Sequence, residues 1–65
     1  MQPHQERVVT EKQELDIKRD KLTEFQKGDL FHSLSEQEQI LLNKQAKVME
    51  EYSGILAERI VNFKS

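Results

Sequence analysis

The sequence predicts an all-α fold, an antiparallel two-helix hairpin with a short helical connector that assembles with copies of itself. Three observations carry that expectation. Helix formers (Glu, Gln, Lys, Leu, Ala) dominate, and Val, Ile and Thr form no alternating runs. Glycine and proline are confined to Pro3, Gly28 and Gly54, so few positions break a helix. Apolar residues recur at seven-residue steps, as Val8, Leu15 and Leu22 in the first half and as Leu42, Met49, Leu56 and Phe63 in the second, which places each set along one helical seam.

Pro3 suits the first turn of a helix, where its missing N–H would have had no partner. Nothing breaks the chain from there to Lys27, which predicts a first helix over about 4–27. Its face is the Val8–Leu15–Leu22 seam with Phe25, and Lys18 falls beside it. Glu14 and Lys18 stand four apart in the favourable order for an ion pair. Gly28 is expected to stop this helix by adopting the left-handed conformation. A connector over 28–34 follows, with Leu30, Phe31 and Leu34 expected to fold a helical turn over the hairpin end. Ser35 through Glu38 has the pattern of a capping box, and Glu36 and Glu38 place negative charge at the positive end of the helix dipole. The second helix is then expected over about 36–63, with Leu42, Gln45, Met49, Tyr52, Leu56, Arg59 and Phe63 facing the first. At ~1.5 Å per residue the first helix spans ~35 Å. Residues 1–65 form a single domain. Gly54 within the second helix is either a neutral surface position or a point of close approach.

The second helix carries more apolar surface than one partner helix covers. Beside its seam runs a parallel row of Leu41, Val48 and Ile55, with Ile40 and Val61 nearby. A contiguous patch of that kind on a small protein marks an interface. Burying it is worth about 1.5–3 kcal/mol per large side chain. Domains of this size need a disulfide, a metal or a partner, and the chain has no cysteine. Leu41, Val48, Tyr52 and Ile55 are therefore the expected oligomer interface, and a different protein partner would satisfy the same surface.

The formal charge of -2, with 34% charged residues of both signs, argues against a general DNA or RNA binder. No apolar run approaches a membrane span, and no signal peptide is visible. The expected location is the cytoplasm, consistent with the absence of cysteine. His4 and His32 stand far apart without a carboxylate set, so neither a metal site nor a Ser–His–acid arrangement can be assembled. No glycine-rich phosphate loop exists. The chain is expected not to be an enzyme, and no cofactor is expected. Two cations stand on or beside the seams, Lys18 and Arg59. Either their stems cover apolar surface with the heads in water, or they hold phosphates in a pocket between subunits. Arg7 and His4 could add a further cation and a flat ring. Tyr52 is expected in the core rather than on a ligand, with its hydroxyl requiring a partner there.

The pattern of Arg7-Val8-Val9, Glu11-Lys12, Glu14-Leu15-Asp16, Lys18, Lys21-Leu22 and Phe25, followed by Phe31, Leu34, Leu41-Leu42, Gln45, Met49, Tyr52-Ser53, Ile55-Leu56 and Arg59-Ile60, resembles a family of small bacteriophage proteins. These are the anti-CBASS cyclic-oligonucleotide sponges, whose helical hairpin domain is shared with an anti-Thoeris sponge. The resemblance covers nearly the whole chain and rests on a distributed pattern. It implies a homohexamer that captures cyclic dinucleotides of the cyclic GMP–AMP type between protomers, without cleaving them, inside the infected bacterial cell. Some members also hold cyclic trinucleotides near the symmetry axis. By residue, the family's phosphate-binding lysine falls on Lys18, and its arginine near the end of the second helix falls on Arg59. Where the family has a stacking aromatic, this chain has Pro3-His4-Gln5. Either His4 takes that role or the contact is absent. Asp20 stands where a small hydroxyl residue would be friendlier to phosphate.

Overall fold

The structure is a computed structural model and describes residues 2–63. The described residues are almost entirely helical and contain no strand. Helix α1 spans Pro3–Lys27, α2 spans Asp29–Ser33 and α3 spans Glu36–Asn62. Pro3 opens α1 as expected, and the Gln2 N–H donates to Gln5 Oε1 at 2.9 Å, satisfying a group at the helix start. Ser35 caps α3, its Oγ accepting from the Glu38 N–H at 3.2 Å.

The connector differs from expectation at Gly28. Its φ of -89° and ψ of 168° are extended, not left-handed, and no described residue has a positive φ. The reason is that α2 begins at the next residue. Gly28 ends α1 and is the N-cap of α2 at the same time, and an N-cap requires extended backbone. Phe31 is buried from this short helix, with its ring edge-on to Phe25 at 6.2 Å. Leu34 is half-buried, whereas Leu30 points into solvent, 70% exposed. The Gln39 side chain fastens the corner. Its Nε2 donates to the carbonyl oxygens of Leu34 at 2.9 Å and His32 at 3.3 Å, covering acceptors left over at the end of α2.

Helices α1 and α3 lie side by side in opposite directions. Ser53 meets Asp16 and Asn43 meets Gln26, so partners advance along one helix as they retreat along the other. The apolar core is small. Val8, Leu15 and Leu56 are buried, with Met49, Ile60 and Phe63 packed against them. The inward positions of α1 recur at alternating steps of three and four as Gln5, Val8, Lys12, Leu15, Arg19, Leu22 and Gln26, and those of α3 as Gln39, Leu42, Ala46, Met49, Ser53, Leu56, Ile60 and Phe63. Both follow a heptad seam.

On α3 this corrects one row of the expected seam. Leu42, Met49, Leu56 and Phe63 do face inward, but their companions are Gln39, Ala46, Ser53 and Ile60. Gln45, Tyr52 and Arg59 are exposed instead. Small side chains at Ala46 and Ser53 leave room for the long polar side chains that α1 contributes. Tyr52 at the surface keeps its hydroxyl in water.

On α1 the cations beside the seam are Lys12 and Arg19, and Lys18 is exposed. Both turn toward Asp16. Lys12 Nζ reaches Asp16 Oδ2 at 2.7 Å, and Arg19 Nη1 reaches Oδ1 at 3.3 Å. Ser53 Oγ donates to the same Oδ1 from α3 at 2.6 Å. Ser53 is 3% exposed, so this bond satisfies a buried hydroxyl. The remaining ion pair among the described residues joins Lys27 and Glu24 at 3.7 Å; the Glu14–Lys18 pair expected from spacing is not formed. Gly54 has open space where a Cβ would stand, which makes it a surface position.

The Lys12 hydrogen bond, and then the Ser53 hydroxyl, hold the Asp16 carboxyl well below its ordinary value of 3.8, at about 2. Partial desolvation opposes them, and Arg19 adds to the lowering. A carboxyl whose folded value is depressed contributes stability that is complete above its unfolded value and lost as pH falls through the folded one. The stabilisation is therefore present above pH ~4 and disappears toward pH ~2. Replacing Asp16 by Asn is expected to flatten the fall in thermal midpoint between those limits. Midpoints at several pH values in that window measure it, and parallel profiles for the two proteins would refute the role given to Asp16. Leu56→Ala is expected to cost roughly 3 kcal/mol in urea unfolding, whereas Val61→Ala, at a position 69% exposed, should cost well under about 1 kcal/mol.

Candidate functional site

The seam divides the molecule into two flanks. Asp16, Thr23 and Asn43 mark one of them. Helical geometry then assigns the other flank to Arg7, Glu11, Glu14, Lys18 and Phe25 of α1 and to Leu41, Val48, Tyr52, Ile55 and Arg59 of α3, each set recurring at steps of three and four. All the residues singled out from the sequence for ligand or subunit contact therefore belong to the same side, with His4 at its open end.

The α3 half of this flank is apolar and uncovered. Leu41 is 49% exposed, Val48 62%, Tyr52 40% and Ile55 56%. Phe25, 37% exposed, continues the row onto α1 beside the connector. Of the two companions expected for it, Val61 and Ile40 are also exposed, but Val61 lies around the helix on the far side. Four or five large apolar side chains in a strip along one side are more than scattered surface hydrophobics account for.

Cations border the strip. Lys18, Arg59, Arg7 and His4 are all exposed. In the register where Asp16 faces Ser53 and Gln26 faces Asn43, Lys18 is level with Glu51, next to Tyr52. Arg59 then lies ~12 Å farther along the axis, at 1.5 Å per residue. Arg7 and His4 fall toward the open end, within a turn or two of Arg59. One chain thus sets Lys18 apart from the other three. It also gives Arg7 an unfavourable setting for an anion, because the shallow groove beside it is lined by Pro3, Glu6, Thr10, Glu11 and Glu14, three carboxylates to one guanidinium. Lys18 and Arg59 lie on the same flank, about two helical turns apart along the axis.

Lys12, Asp16, Arg19 and Ser53 were not separable in the sequence from the mixed-charge surface around them. The one available signal is that Lys12 and Arg19 stand seven apart, in step with Gln5 and Gln26, on a row adjacent to Val8 and Leu15. Among the described residues no cluster of three or more His, Asp or Glu side chains could hold a metal ion. No helix among them is long and apolar enough to cross a membrane.

No curated protein and no solved structure matches the chain. A family model does, over residues 2–62, and its description is Sequestin. The match takes in both long helices, the connector and every residue named on the apolar flank, and on that ground the chain belongs to the Sequestin family.

Proposed function

We propose that this chain is a bacteriophage sponge, a homo-oligomer of helical hairpins that sequesters cyclic di- or trinucleotide second messengers without cleaving them and so blocks CBASS-type defence in the host cytoplasm. The observation that carries the reading is the uncovered strip of Leu41, Val48, Tyr52 and Ile55, with Lys18 beside it on α1 and Arg59 continuing it toward the open end. Membership of a family named for sequestration agrees with it.

The physical logic runs from packing to chemistry. A core of three buried apolar residues in this interface is small for a stable domain. Covering the strip with further copies adds about 1.5–3 kcal/mol for each large side chain. The same association brings Lys18 of one copy toward Arg59, Arg7 or His4 of another, which a single chain keeps apart. Several cations from different chains around one cyclic polyanion then supply charge-assisted hydrogen bonds, with the arginine forks bidentate. The negative net charge does not oppose this, since local potential governs such a site. In this proposal the ligand is held and released unchanged. By the family resemblance the assembly is a hexamer.

A second reading rests on the same strip, that of an adaptor docking on a host or phage protein. The two separate cleanly. For the sponge, light scattering on dilute protein should give a mass several times 7.7 kDa. Calorimetry should give heat with cyclic GMP–AMP, another cyclic dinucleotide or cyclic tri-adenylate. Lys18→Ala should weaken dinucleotide binding at least about tenfold, the loss of one charge-assisted contact, with the assembly intact. A lone folded monomer, or an intact assembly that gives no heat with any of these ligands, overturns the proposal.

A further inference from the structure

The flank opposite the apolar strip holds a groove that the proposed function does not use. Arg19 and Thr23 of α1 and Asn43, Ala46, Lys47 and Glu50 of α3 line it, enclosing about 270 Å³. That is ample for a tetrahedral oxyanion. The floor owes its room to Ala46, a half-buried one-carbon side chain on the inward row of α3.

The polar lining is mostly donors with capacity to spare. Arg19 has five N–H groups, and its one ion-pair contact is Nη1 to Asp16 at the long distance of 3.3 Å. Asn43 accepts from Gln26 Nε2 through Oδ1 at 2.9 Å, which orients the amide and leaves both N–H bonds of its NH2 group for the groove. Thr23 adds a hydroxyl. Lys47 is exposed and forms no ion pair among the described residues. Against these donors stands one acceptor, the Glu50 carboxylate. Among the charged residues that line the groove, Arg19 and Lys47 outnumber Glu50 two to one, while Lys12, Asp16 and Asp20 stand beside it.

We infer that this groove is a binding site for hydrogen phosphate. The Arg19 guanidinium, the Lys47 ammonium, the Asn43 amide and the Thr23 hydroxyl donate to the phosphate oxygens, and Glu50 accepts from the P–OH. Glu50 sets the selectivity. Sulfate carries no proton at neutral pH, so it would set a bare oxyanion against a carboxylate and leave that acceptor unpaired. A phosphodiester likewise has no P–OH to offer. The site stands on the donor flank alone and is independent of the sponge reading.

The test is a titration of the full chain with sodium phosphate, followed by ¹⁵N–¹H NMR, with sulfate and chloride at matched ionic strength. Phosphate should move the Asn43 side-chain NH2 and the Ala46 and Lys47 amides saturably. Sulfate should bind about tenfold more weakly, and chloride and a cyclic dinucleotide should leave these signals in place. Lys47→Gln should weaken phosphate about tenfold, and Ala46→Leu should abolish binding by filling the floor. Lys18→Ala should change nothing here, which separates this site from the apolar flank. If Ala46→Leu fails to fold, Lys47→Gln decides alone. Non-saturating shifts with phosphate, equal affinity for sulfate, or unaltered binding in Lys47→Gln would each overturn the assignment.

Discussion

Ser53 Oγ and Asp16 Oδ1 meet across the helix interface at 2.6 Å, and much of the molecule is arranged around that contact. The apolar core beside it is too small to fix the relative position of two long helices by shape alone. Sliding α3 along α1 by one turn would still leave leucines near leucines. It would, however, strand a buried hydroxyl without its acceptor and take from Asp16 the hydrogen bond it receives from α3. A polar contact inside an otherwise apolar seam thus sets register, as a lone buried polar residue does in coiled coils. The Gln26–Asn43 hydrogen bond at 2.9 Å repeats the device nearer the connector.

That register divides the surface by chemistry. The flank on which Asp16 lies collects small and polar side chains, and its long cations are engaged with carboxylates or free to donate into a groove. The other flank collects Leu41, Val48, Tyr52 and Ile55, with Phe25 beside them. The two long helices thus carry large exposed apolar side chains along one side and mostly polar side chains along the other. The connector serves the same division. Burying Phe31 closes the end of the seam, while Gln39 binds the carbonyl oxygens that the tight corner leaves open. Assembly through the apolar flank would also account for the exposed cations at its border. In the proposed assembly they would converge on one anion.

Local sequence was sufficient for most of the architecture. The helical class, the start of α1 at Pro3, the Ser35 cap and the short helical connector follow from propensity and capping chemistry, which act over a few residues. The seven-residue spacing of Val8, Leu15 and Leu22, and of Leu42, Met49 and Leu56, was enough to find one inward row on each long helix. The surplus of apolar surface on α3 was legible for the same reason, because a helix has one covered side and the count exceeded it. Tertiary structure decided the second inward row. Sequence favours the bulky Tyr52 for the core, but packing selects Ser53 and Ala46, because a helix bearing Lys12 and Arg19 needs space and a hydroxyl from its neighbour. It decided that Gly28 is extended, since two helix ends share that residue. It also decided which cations meet Asp16 and which stand free, because charged side chains on a helix look alike in sequence until the partner helix shows which of them it covers.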